Sequence, residues 1–328
     1  MKLFLGFYGI EEIKQIGPMK KGIFINFVPV STLVLSFFLR KETVTISLTT
    51  GFSLLLRRLP NLCNHKKQKG GPFKMMFSNA IVKTPCNNMI NGIRSVGLGR
   101  PDYDLARNQH DAYIRALRSC GLDVEILDAD EAFPDSTFIE DTCLVTPRCI
   151  IITNPGADSR KGEVISVQSA VENIGRPVEK ILSPGTLDAG DVMMVKDHYY
   201  VGLSDRTNTE GAHQLEKILG KYKMTSSTVS LESVLHLKTG VSYLEHNNLL
   251  AVGEFLTKPE LQQFNLLSVK DEEAYAANSV WINDTVLVPE GFPETLKMIQ
   301  NQGYKPIEIN VSEFRKLDGG PSCLSLRF

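Results

Sequence analysis

From Met76 onward the chain repeats one pattern: short apolar runs in close pairs, with an amphipathic helical stretch nearby. Val192–Val195 is followed by Tyr199–Leu203, and Val280–Ile282 by Thr285–Val288, each pair separated by the few polar residues that suit a hairpin. Ala80–Lys83, Val124–Leu127 and Cys149–Thr153 read as further strands by their aliphatic and β-branched content. Helices are expected over Pro101–Cys120, Gly162–Asn173, Thr207–Tyr222, Pro259–Phe264 and Pro293–Gln302. The first of these has proline at its start, an apolar stripe through Ala106, Tyr113 and Leu117, and Gly121 as a stop. Five recurrences of strands with one helix predict a modular α/β assembly. The repeat is one of pattern, since no residue-level repeat is visible.

The 75 residues before this pattern have a different character. They carry twelve Lys/Arg against three acids, whereas the remaining 253 carry 24 against 34. Gly22–Leu39 is uncharged over eighteen residues, is bracketed by Lys20-Lys21 and Arg40-Lys41, and contains Pro29. It meets the lower length limit for crossing a bilayer. A second uncharged run, Thr43–Leu56, and a basic linker, Asn64–Lys74, follow. The expected division is a leader over 1–75 and a catalytic domain over 76–328. An anchor, an organelle presequence and an upstream extension all fit the leader, and Met75-Met76 beside the first strand favour the extension.

The acidic body argues against nucleic-acid binding, which needs clustered cations to displace counterions, and leaves room to bind a cationic small molecule. Six scattered cysteines form neither a disulfide framework nor a zinc pattern, so a reducing compartment such as the cytoplasm is expected for the body. No nucleotide-binding glycine motif is present. The reactive side chains lie in the loops: three acids in residues 133–141 (FPDSTFIED, expected as a turn and a strand), Asp188 and Asp191 around a glycine, Arg206 at a helix start, His236 between two leucines, and Cys323 after Gly319-Gly320-Pro321. Each has an ordinary explanation as core histidine, turn former, surface ion pair or buried thiol. Together, a cysteine, a histidine and carboxylates fit an activated thiolate, a proton shuttle and a group that orients the imidazole. A papain-like peptidase has the same groups, but its local signature around the cysteine is missing.

FPDSTFIED, NPGADSRKGE, GTLDAGD, DRTNTEGA, LHLKTG, YLEHNNLL and the terminal LDGGPSCLSLRF resemble dimethylarginine dimethylaminohydrolases of the bacterial type, in the family's order, from Met76 to Phe328. The resemblance implies a five-bladed α/β propeller (pentein-like, with ββαβ modules) acting without metal or organic cofactor. Its substrates would be asymmetric dimethylarginine and monomethylarginine, and its products citrulline and the methylamine. It implies Cys323 as nucleophile, His236 as acid and base, and Asp188 as the partner of the histidine. Glu140 and Asp141 would hold the guanidinium. Asp135 and the backbone of Ile93 would hold the α-amino group, Arg160 and Arg206 the carboxylate, and the backbone of Leu317 beside Asp318 would be a further contact. Asn154 before Pro155-Gly156 and Lys161 after Arg160 depart from the family's usual residues. An arginine deiminase-like hydrolase and a silent arginine-binding member are the alternatives, and the resemblance leaves a homo-oligomer open.

Overall fold

The computed structural model describes residues 76–328 and, before them, the strands Ile23–Val28, Thr32–Phe37 and Val44–Ser47. The chain divides into two compact units, Met1–Phe73 and Lys74–Phe328. In the first, the three strands pair antiparallel in chain order. The uncharged run Gly22–Leu39 thus contributes two strands rather than one helix, while most of Thr43–Leu56 and the linker Asn64–Lys74 lie outside the described residues. Among the described residues no helix is long and apolar enough to cross a membrane.

The second unit contains five three-stranded sheets of one design: an antiparallel pair, then a crossover to a third strand parallel to the second. In chain order, Cys143–Val145, Ile150–Ile152 and Val178–Lys180 form one sheet. Val192–Val195, His198–Leu203 and Thr225–Ser230 form the next. Val241–Tyr243, Asn248–Ala251 and Asn265–Ser268 follow, then Val280–Ile282, Thr285–Pro289 and Lys305–Ile309. The remaining sheet joins the two ends of the unit, with Leu326–Arg327 antiparallel to Asn79–Lys83 and Asp123–Leu127 parallel to it. This is the five-module α/β propeller that the resemblance implies.

Four crossovers contain an α-helix: Tyr103–Ser119, Val164–Val171, Thr209–Lys221 and Pro293–Asn301. The first begins where the Asp102 carboxylate accepts from Leu105 N at 2.9 Å and stops before Gly121, whose φ of 89° no other residue type adopts as freely. It buries Ala106, Tyr113 and Leu117 as expected. Gly162–Asn173 is a composite, with 3₁₀ turns on either side of its α-helix. The expected helix at Pro259–Phe264 is only the 3₁₀ turn Pro259–Leu261. Gly253 at φ 58° and the missing N–H of Pro259 break that short crossover into two turns. FPDSTFIED is not a strand either. It turns into the 3₁₀ helix Ile139–Thr142, where Thr142 Oγ1 donates to Ile139 O at 2.7 Å in place of a ladder bond.

The core is divided around the ring. Its apolar side chains form five clusters, each joining two neighbouring modules, for example Val201 and Tyr199 with Ile151, or Trp281 and Val286 with Leu250. The first strand of each module lines a common axial cavity, through Val145, Met193, Tyr243, Trp281 and Leu326 among others. The turns entering those strands therefore gather at the ring's axis, and these turns hold the reactive residues.

Candidate active site

Asp141 precedes the strand at Cys143, Asp188 the strand at Val192, His236 the strand at Val241, and Cys323 the strand at Leu326. A second cavity is lined by Ile93, Asp135, Asp141, Arg160, Arg206, His236, Leu317, Asp318 and Cys323, together with Phe138, Leu235 and Gly319. Nine of the eleven residues expected at the site thus share one cavity. Asp188 stands behind it, fully buried, with Oδ2 3.0 Å from His236 Nε2 and Oδ1 accepting from Gly156 N at 2.9 Å. Glu140 lines the axial cavity instead. Its Oε1 meets Lys238 Nζ and Arg327 Nη2, each at 2.8 Å, on the wall of the axial cavity. Its second oxygen, Oε2, is buried and has no hydrogen-bond partner among the described residues, so one acceptor of the carboxylate remains unused.

Burial alone would depress His236, but Asp141, the hydrogen bond to Asp188, and Asp191 reverse that and raise it to about 9. Burial pushes the Cys323 thiol up to about 12, and Asp141 and Glu140 add to it. Near neutral pH both are protonated. Desolvation works against the Asp141 carboxylate, yet His236 and Arg160 together hold it below the usual range. Its Oδ2 lies 2.6 Å from Arg160 Nη1, and its Oδ1 accepts from Gly190 N at 3.0 Å. A Cβ on Gly190 would stand 2.5 Å from that same oxygen and 3.1 Å from the His236 ring, so only glycine lets the two turns meet.

Asp141, Asp188 and His236 offer ligand atoms within 4.8 Å of one another. Within the group, His236 is hydrogen-bonded to Asp188, and the surrounding carboxylates favour its imidazolium form, so the three side chains pair with one another.

The two arginines differ. Arg160 is buried, with Nε and Nη2 on Glu163 and a further bond from Nη2 to Phe138 O at 2.9 Å. Arg206 makes no ion pair among the described residues and lines the cavity. Asp135 accepts from Ile93 N at 3.0 Å, and its burial raises its pKa. The Asp318 carboxylate is spent on Ser95 N at 2.5 Å and Val96 N at 3.2 Å, fixing the loop that carries Ile93.

A family profile described as N,N dimethylarginine dimethylhydrolase, eukaryotic, matches residues 101–258. The N(G),N(G)-dimethylarginine dimethylaminohydrolase of Pseudomonas aeruginosa is 53% identical over 255 residues, which is 77% of this chain and 100% of the relative. The chain belongs to the dimethylarginine dimethylaminohydrolase family. The family's enzyme from Streptomyces coelicolor is 33% identical over 77% of this chain and 98% of its own. A citrulline complex of a cysteine-to-serine variant of the Pseudomonas enzyme superposes with a TM-score of 0.76, covering 77% of this chain and 100% of that one. The N-terminal domain of the cyanobacterial arginine dihydrolase ArgZ, 18% identical at a TM-score of 0.69 over 76% and 96% of the two chains, shares the fold.

Several residues that family membership does not single out organise the site. Asp191 accepts from Leu237 N at 2.9 Å and from Ser204 Oγ and Thr207 Oγ1 at 2.6 Å, tying the histidine turn to the turn of Arg206. Its signal was the second acid of LDAGD, read as a turn former. Asn278 occupies the fifth equivalent turn and accepts from Ser322 N at 3.0 Å. Nothing in the sequence marks it.

Proposed function

We propose that residues 76–328 hydrolyse Nω-methylated arginines, asymmetric dimethylarginine and monomethylarginine, to citrulline and dimethylamine or methylamine through a covalent adduct on Cys323. The observation that carries this reading is that Cys323 and His236, the latter hydrogen-bonded to Asp188, share the wall of one cavity with Asp141 and Arg206.

The substrate's guanidinium offers a fork of N–H donors to the Asp141 carboxylate. Its charge replaces a missing cation beside Cys323 and favours loss of the thiol proton on binding, so thiolate forms where substrate is present. Sγ attacks the guanidinium carbon. His236, held through Nε2 by Asp188, gives the proton of its other ring nitrogen to the departing amine as the C–N bond breaks, leaving a thiouronium. Neutral His236 then takes a proton from water, the hydroxide adds to the same carbon, and the C–S bond breaks as the new hydroxyl's proton passes to the departing sulfur, giving citrulline and the Cys323 thiol. Arg206 binds the substrate carboxylate, with Arg160 contributing chiefly by fixing Asp141. Asp135 balances the ammonium, beside the backbone of Ile93, Leu317 and Asp318.

Purified chain should release citrulline from both methylated arginines far faster than from arginine, and acid quenching should trap a substrate-derived mass on Cys323. Preference for unmethylated arginine would make it a deiminase, and binding without turnover a silent member. Citrulline release by Cys323→Ser would overturn the mechanism.

A further inference from the structure

Cys323 sits in a four-residue 3₁₀ turn, Pro321–Leu324, followed by a two-residue strand. So short a segment has little hydrogen bonding of its own, yet a nucleophile must be held to a fraction of an ångström. The bonds come from outside the turn. Tyr275 OH donates to Gly319 O at 2.7 Å, and Tyr113 OH to Pro321 O at 2.8 Å. The largest share belongs to Arg327. Its Nη1 donates to Ser322 O at 3.2 Å, Ser325 O at 2.8 Å and Ser325 Oγ at 2.7 Å, so one guanidinium nitrogen grips the backbone on both sides of Cys323. Its Nη2 meets Glu140 Oε1 at 2.8 Å, next in sequence to the Asp141 that faces the reaction. Arg327 lines the axial cavity and is absent from the wall of the cavity that holds Cys323.

We propose that Arg327 is a positioning residue for the nucleophile: it clamps the turn around Cys323 and locks that turn to the Glu140-Asp141 turn. Its planar fork can reach the two carbonyls and the carboxylate together, a geometry a lysine ammonium cannot reproduce. The side chain works from behind the site, so its loss leaves substrate binding intact and misaligns the attacking sulfur.

The assignment rests on the hydrolytic reading above, and the experiment separates the two. In full-length protein, Arg327→Gln should lower kcat for asymmetric dimethylarginine by about 100-fold, the scale of a 1 Å misplacement, with KM within about twofold. Arg327→Lys, which keeps the charge toward Glu140, should recover only part of that loss. Cys323 should still be alkylated by iodoacetamide in both variants, with a pH profile moved upward in Arg327→Gln, where a nearby cation is lost. If Arg327→Gln does not fold, Tyr113→Phe removes the grip from the opposite side and should give the same kcat loss at constant KM. Wild-type kcat in the folded variant, or a raised KM with kcat intact, overturns the proposal. A wild-type chain that releases no citrulline overturns the hydrolytic reading instead, while the alkylation profiles still report on the clamp.

Discussion

His236 and Cys323 face opposite problems in one cavity. The acids around the ring hold a proton on His236 up to about 9, which suits a proton donor. Burial, with Asp141 and Glu140, holds the proton on Cys323 up to about 12, which is wrong for a nucleophile until a cation arrives. Two results follow. The ligand-free thiol should react slowly with a neutral haloacetamide at neutral pH and faster as pH rises, and an amidinium alkylator of equal size should outpace it. The alkaline limb of kcat/KM should fall near pH 9 as His236 loses its proton, and Asp188→Asn, which removes an anion, should move that limb to lower pH. An unmoved limb would show that another group titrates there. The stability linkage has the same sign. The folded pKa of His236 exceeds its ordinary 6.5, so its contribution is fully present below that value and lost as pH rises through about 9. At the far end of the cavity, Arg206→Ala should reduce kcat/KM by at least one charge-assisted hydrogen bond, about 1.5–3 kcal/mol. A methylguanidine without the amino-acid end should be insensitive to that change. Equal losses on both substrates would remove Arg206 from the carboxylate. Sequence marked Cys323 and the acids by the glycines and polar loops around them, whereas His236 between two leucines stands out only through the family resemblance. The sequence hid the ion pairs of Glu140 with Lys238 and Arg327, since two adjacent acids in a 3₁₀ turn line different cavities, and this is a property of the turn rather than of either residue.

At the scale of elements, the strands were easier to read than the turns that matter most. Val192–Val195 and Val280–Ile282 match their expected spans because apolar pairs at hairpin spacing have few alternatives. Thr225–Ser230 was missed, since its polar side chains lie at an outer edge and make no alternating pattern. FPDSTFIED differs from the expected strand because β-branched and aromatic residues favour strands in isolation, while here Phe138 and Ile139 enter two different core clusters and the Phe138 carbonyl accepts from Arg160. One crossover couples stability to the site. Helix Thr209–Lys221 is capped by Asn208, whose Oδ1 accepts from Gly211 N at 2.8 Å and Thr186 N at 3.1 Å, and whose Nδ2 donates to Pro184 O at 3.0 Å. These bonds hold the helix start to the approach of Asp188. Asn208→Ala should therefore cost more than an isolated cap, about 2 kcal/mol against a typical 1. Urea unfolding would read this as a lower midpoint at unchanged slope. A loss of a few tenths would show that the cap is replaced by solvent.

At the scale of the whole molecule, the question is whether the second unit is sufficient. Its ring closes on itself: Leu326 pairs with Ile81, Phe328 O accepts from Ser78 N at 3.0 Å and Asn79 N at 2.8 Å, and Phe328 N donates to Asn79 O at 3.0 Å. Its five apolar clusters each bridge two of its own modules, and every residue lining the candidate site belongs to it. The Pseudomonas relative matches over its full length with 255 residues of this chain, which is the size of this unit. The net positive charge and uncharged runs of residues 1–75 have no part in the chemistry described above. A protein beginning at Met76 should therefore fold cooperatively and hydrolyse asymmetric dimethylarginine with the kcat and KM of the full chain. It should also be the more soluble of the two, because Gly22–Leu39 places eighteen uncharged, largely apolar residues in one stretch. Side-by-side citrulline assays and sedimentation of both proteins make the comparison. Failure of the shorter protein to fold, or a kcat reduced beyond error, would mean that the first unit completes the second.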